Sequence, residues 1–164
     1  MLLGVGLCTV LGALFSALEA ALVALGDARL RGLRDGENAD AAAASRYLDQ
    51  EVLIHARLLS GRIVCAAGVA VLAWRWASVN FSELSGLGAA LSVTLFYAVI
   101  AEAATTFARR HAGGVALPML RRLRFLELAA APFAVPLVWV GGVVDRLFPP
   151  RPEQDPEHIT EEDV

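Results

Sequence analysis

Three stretches of the chain, near residues 1–25, 58–78 and 84–108, are apolar for about the 20 residues a helix needs to cross a hydrocarbon core of about 30 Å. The expectation is an all-α membrane protein with three transmembrane helices.

Composition agrees: 57% of the 164 residues are hydrophobic and 19% charged, against about 45–50% and about 25% in a soluble domain. All fourteen basic residues are Arg, which reads as a compositional bias and not as a functional signal. Their placement orients the chain. Arg29, Arg31, Arg34, Arg46 and Arg57 lie between the first two spans, and Arg109, Arg110, Arg121, Arg122 and Arg124 follow the third. The short loop from Ser78 to Glu83 carries none. The positive-inside rule therefore puts the N-terminus outside and the C-terminus in the cytoplasm of a multi-pass cell-membrane protein. Arg75, between Trp74 and Trp76, suits the outer interfacial belt. The first stretch lacks a basic leading region and contains Glu19, so it reads as a retained helix and not a signal peptide.

The domain boundaries follow. Residues 1–112 form a three-span transmembrane domain with a cytoplasmic amphipathic excursion at 27–57, two short helices joined by a turn at 35–38. Residues 113–148 are expected as juxtamembrane interfacial helices, because Pro132, Pro136, Gly141 and Gly142 interrupt the apolar stretch from 125 onward. Residues 149–164 form an acidic cytoplasmic tail: a Pro-rich linker, then Thr160 before Glu161, Glu162 and Asp163 as a helix start.

Cys8 and Cys65, counted at different depths, are small apolar fillers and not a disulfide framework. His55, His111 and His158 have no metal-spaced companions, and no triad, zinc site or phosphate loop is visible, so no enzymatic activity and no organic cofactor are expected. The Arg clusters sit where membrane topology already explains them, so nucleic acid is not an expected partner. Small residues in the spans, such as Gly12 and Gly61, permit close helix contact.

Ionisable residues inside the spans carry the functional signal, because each costs roughly 2.5–3.5 kcal/mol near a helix centre. Glu19, Arg62 and Glu102 are three such residues. Counted from cytoplasmic helix ends at 25, 58 and 108, they lie about 9, 6 and 9 Å deep. Ser16 precedes Glu19 by three residues, and Thr105 and Thr106 follow Glu102 by three and four, so hydroxyls share the faces of both acids. Such an oxygen-rich cluster suits a hard cation such as Mg²⁺. The competing expectation is structural: Arg62 snorkels to the headgroups or pairs with the acids and holds the bundle together.

The run Phe15-Ser16-Ala17-Leu18-Glu19-Ala20-Ala21-Leu22, the start Leu58-Leu59-Ser60-Gly61 and the end Ala101-Glu102 before Phe107-Ala108-Arg109-Arg110-His111 resemble the transmembrane domain of the CNNM/CorC family. Ile159-Thr160-Glu161-Glu162 resembles its acidic lead-in to a cytosolic CBS-pair domain. The resemblance implies a homodimeric three-span domain with a juxtamembrane belt, associated with Mg²⁺ as the transported ion. It places Ser16, Glu19 and Glu102 as metal ligands. The chain departs from the family pattern at Leu18, Arg62 and Ala66, where Ser and Asn ligands are expected, and at Thr105-Thr106, which replace Pro-Lys. A guanidinium at 62 would supply the charge an ion otherwise brings. Two functions therefore stay open: divalent-cation transport, or a transport-inactive relative that acts as a membrane anchor or as the regulatory dimer partner of a complete family member, with Arg62 replacing the bound cation. Membrane lipid is a partner in both.

Overall fold

The computed structural model describes residues 1–34, 36 and 39–147. The acidic tail and the expected helix start at Thr160 lie outside the described residues, as does most of the turn at 35–38. The described residues form seven helices: α1 (Leu2–Leu25), α2 (Asp27–Arg34), α3 (Ala39–Asp49), α4 (Glu51–Asn80), α5 (Glu83–Arg110), α6 (Ala112–Arg122) and α7 (Arg124–Leu147). No strand occurs among them.

α1, α4 and α5 pack against one another as the central bundle. Gly26, at φ 73°, turns the chain from α1 into α2, a backbone conformation that L side chains rarely adopt. At the opposite end, the Ser82 hydroxyl accepts a hydrogen bond from the Ser85 amide (3.2 Å) and caps α5, while the Phe81 amide donates to the Ala77 carbonyl and closes α4. The α1/α4 contact is close because it is built on small residues. A Cβ at Gly61 would stand 2.7 Å from the Phe15 ring, and one at Gly12 would stand 2.5 Å from the Tyr97 hydroxyl of α5.

These contacts set the antiparallel register of α1 and α4: Gly4 faces Leu72, Cys8 faces Gly68 and Phe15 faces Gly61. The helix that carries the second span therefore begins two turns before Leu58, since continuing the register puts Leu25 opposite Glu51, the first residue of α4. Heights of α4 residues relative to α1, counted from Leu58, shift by about 10 Å. Cys8 consequently sits one turn from Cys65 and not at a separate depth; both are free thiols. Residues 51–57, expected in the cytoplasmic excursion, are the first turns of α4, and the excursion itself is α2 and α3.

The larger hydrophobic core lies at the end of the bundle where α2, α3 and α6 close over it. Leu18, Leu22, Leu30, Ala44, Tyr47, Ile54, Leu58, Ala116 and Leu120 are all 2% exposed or less. A smaller cluster of Val69, Tyr97 and Ala101 lies deeper in the bundle.

α7 corrects the expectation of three spans. Four helices are long and apolar enough to cross a membrane by length and composition, and the fourth is Arg124–Val144. Pro132 and Pro136 do not end it. They are four residues apart and so lie on one side of the helix, which confines the missing hydrogen bonds to that side. A single continuous helix also leaves fewer unsatisfied backbone groups in an apolar setting than a broken one. Ala130 and Ala134, buried at the same spacing, let α7 lie close along α4.

Candidate functional site

Glu19 faces outward from the buried side of α1, one turn beyond Ser16. Arg62, on the adjoining face of α4, donates from Nη1 to Glu19 Oε2 at 3.2 Å. The Arg62 backbone lies deeper than Glu19, by the register above, and its side chain reaches back because helical side chains lean toward their own N-terminus. A second α4 residue, His55, places Nδ1 at 4.0 Å from Glu19 Oε1. His55 Nε2 in turn lies 2.7 Å from the Tyr47 hydroxyl, a hydrogen bond that ties the pair to α3. Burial pushes the Tyr47 phenol up to about 12, helped by the nearby Glu51, Asp27 and Glu19 carboxylates, so it stays protonated and able to donate to the imidazole.

Glu102 of α5 joins Ser16, Glu19, Arg62, Thr105 and Arg109 around an open cavity of about 330 Å³. The three acid and hydroxyl residues singled out in the sequence are thus brought together, with Arg62 among them. Ser16 and Thr105 are buried while the Glu102 side is open. The Ser16 hydroxyl donates to the Gly12 carbonyl at 3.0 Å, which leaves its oxygen able to accept. Thr106 does not join them. It lines a separate cleft of about 580 Å³ on the outer face of α5 with Glu102, Phe107, Arg110 and His111. Glu102 therefore stands between two openings.

The cavity holds two carboxylates and two guanidiniums, Arg62 and Arg109. Glu19 is already charge-paired, and its side chain is 25% exposed. Among the described residues no three His, Cys, Asp or Glu side chains come together as a metal-binding group. An ion here would depend on the Ser16 and Thr105 hydroxyls besides the acids, the oxygen-only chemistry of a hard cation.

Arg109 and His55 are the site neighbours the sequence did not single out. His55 has no metal-spaced companion in the sequence, and a second span counted from Leu58 leaves it in the cytoplasmic excursion. Its signal was available: it lies seven residues before Arg62, on the same helical face.

A second charged cluster was missed as well. Glu127, on the first turn of α7, is 1% exposed and accepts from Arg46 Nη1 (2.9 Å) and Arg57 Nη1 (2.8 Å). Arg46 Nη2 also donates to the Leu120 carbonyl at 3.4 Å. One carboxylate thus joins α3, α4 and α7, and through Leu120 the end of α6. Its sequence signal is an acid one turn inside an apolar stretch, which must find cationic partners.

The family model for the cyclin M transmembrane N-terminal domain, CNNM, matches residues 2–164. No curated protein and no solved structure matches the chain.

Proposed function

The chain belongs to the CNNM family of cyclin M transmembrane domains, and from that membership we propose that it handles divalent cations, Mg²⁺ foremost, as a multi-pass membrane protein. Ser16, Glu19 and Glu102 are the groups that would face the ion. Arg62 is an intramolecular counter-ion that must leave Glu19 before a divalent cation enters. The observation that carries this reading is the 3.2 Å Arg62–Glu19 pair at the wall of a cavity shared with Ser16 and Glu102.

The physical logic is competition for one carboxylate. A guanidinium on α4 and an external cation cannot both saturate Glu19, and the pair as it stands makes the cavity neutral on that side. Arg62 is 42% exposed at its side chain, so the pair is only partly desolvated and its strength is that of a semi-exposed bridge, about 1 kcal/mol. Such a bridge yields to a divalent ion.

A second reading is favoured by Arg109, which gives the cavity as many guanidiniums as carboxylates. On that reading the chain is a transport-inactive relative, a membrane anchor or regulatory dimer partner. A homodimer, or a heterodimer with a complete family member, is proposed for either reading. Supporting it is the face of α5 bearing Leu84, Leu87, Leu91, Leu95 and Val99, exposed along its length and ending at the exposed Glu102. A second copy would cover it.

Isothermal titration of Mg²⁺ into the detergent-purified chain tests the proposal. Saturable binding that disappears in Glu102→Ala, and that tightens about fivefold in Arg62→Ala, is the expected result. Equal binding by the parent and Arg62→Ala would remove the counter-ion role. No binding by the parent at millimolar Mg²⁺ would leave the inactive relative as the function.

A further inference from the structure

A basic pocket at the junction of α3, α6 and α7 has no role in the cation cavity. Arg46, Arg121 and Arg124, with Ala42 and Ala43, line an open pocket of about 300 Å³. Arg57 lies close by through Glu127. Two carboxylates serve this group, Glu127 between Arg46 and Arg57, and Asp40 at 3.9 Å from Arg121. Four guanidiniums therefore face two carboxylates, and the pocket keeps a positive excess. Glu127 consumes Arg46 and Arg57 at short range, whereas Arg121 is half exposed in a long contact with Asp40 and Arg124 is exposed.

Depth and surroundings identify the ligand. Arg124 is the first residue of the stretch Arg124–Val144 that is long and apolar enough to cross a membrane, which puts the pocket at the end of that stretch, where hydrocarbon would give way to headgroups. Below Arg124 the same helical face continues through Leu128, Ala131, Val135 and Trp139, at successive spacings of four, three, four and four residues. Leu128, Val135 and Trp139 are 51%, 67% and 69% exposed. A guanidinium pocket opening above an exposed apolar stripe is complementary to a molecule with an anionic phosphate head and apolar tails. Arginine is suited to this because its planar donors engage two phosphate oxygens at once.

We propose that the Arg46/Arg121/Arg124 pocket is a binding site for the phosphate headgroup of an anionic phospholipid whose acyl chains lie along the exposed face of α7. Arg121 and Arg124 supply the contacts to the headgroup. Arg46 sets the floor of the pocket and is held in place by Glu127. The site bridges α3 to the α6–α7 junction, so an occupied pocket fastens these cytoplasmic-end helices to the bilayer surface. Basic pockets between helices at the membrane boundary bind anionic headgroups by this combination of charge and depth.

The test uses the full chain purified in detergent, incubated with equal amounts of phosphatidylglycerol and phosphatidylcholine, with retained lipid measured by native mass spectrometry. The parent is expected to retain phosphatidylglycerol in preference. The Arg121→Gln/Arg124→Gln variant is expected to bind it about thirtyfold more weakly. Arg75→Gln, an exposed Arg far along α4, is expected to bind as the parent does. Ala42 is exposed at the pocket wall, so Ala42→Glu places a carboxylate in the pocket without touching the Arg121 or Arg124 side chains. Its loss of phosphatidylglycerol is expected even if the double variant fails to fold. Excess inorganic phosphate is expected not to displace the lipid, since it lacks the chains that the α7 face covers. Equal retention of the two lipids, an equal loss in Arg75→Gln, undiminished binding by Ala42→Glu, or displacement by inorganic phosphate would each overturn the proposal.

Discussion

Glu127 shows how one side chain can hold several elements. A carboxylate at 1% exposure is tolerable because two guanidiniums reach it at 2.9 and 2.8 Å, and removing it would leave both of them uncompensated. Arg57 Nε is already buried without a hydrogen-bond partner among the described residues, so the cluster has no spare acceptor. Glu127→Ala is expected to cost about 3–5 kcal/mol, the penalty for stranding buried charge, measured as a shift in the denaturant midpoint in detergent. Glu19→Ala, removing one end of a half-exposed pair, is expected to cost about 1 kcal/mol or less in the same assay. The contrast separates a buried ion cluster from the half-exposed pair at the cavity wall. Glu19 and Arg62 were legible as candidate partners from their places inside apolar stretches, since each is a charge that the membrane penalises, but which acid Arg62 meets was not. His55 was not, because its depth depends on which α4 residue meets which α1 residue.

At the scale of elements, α4 carries the largest difference between expectation and structure. Hydropathy marks where a helix becomes apolar, not where it begins, and the charged turns Glu51–Arg57 continue the same helix as the span. Gly61 fixes the α1/α4 register and Gly12 the approach of α5 to α1, and at each a neighbouring aromatic ring fills the space a side chain would take. Gly61→Ala would force the Phe15 ring to shift and Gly12→Ala the Tyr97 ring, each expected to destabilise by about 1–3 kcal/mol as overpacking. Gly88→Ala, where nothing lies within 4 Å of an added Cβ, is expected to be neutral or slightly stabilising in the same unfolding series. Tyr97 adds a second constraint, since its hydroxyl donates to the Arg62 carbonyl at 3.3 Å. The α5 contact thereby acts on the backbone of the residue that pairs with Glu19.

For the whole molecule, the asymmetry of the core matters most. Buried side chains concentrate where α2, α3 and α6 close the bundle, while α5 is largely uncovered. The side that α7 reaches is the main topological consequence. Charge places the tail with the Arg-rich loops, but α7 runs along α4, with Glu127 at Arg57 and Leu126, Ala129, Ala130 and Phe133 beside Gly61, Val64 and Cys65. In a chain with Cys8 and Cys65 replaced by Ala, a cysteine at Leu147 is expected to react with impermeant thiol reagents from the same side as one at Phe81. Reaction from the side of Gly32 would instead make α7 an interfacial helix and return the tail to the cytoplasm.

The class, three of the four membrane-length helices, the positive loops and three of the four cavity charges were legible in the sequence alone. It also carried the family through Phe15–Leu22 and the Ala101-Glu102 end. The class, spans and charges follow from transfer free energy and local periodicity, which each residue expresses whatever its neighbours, whereas the family rests on the resemblance of those motifs. It took the packing of helices to show that Arg62 reaches back to Glu19, that His55 and Tyr47 stand behind that pair, that Glu127 gathers Arg46 and Arg57, and that α7 remains one helix through two prolines. Those outcomes depend on interhelical register and on which small residues permit close approach, and both are properties of pairs of helices separated by tens of residues in the chain.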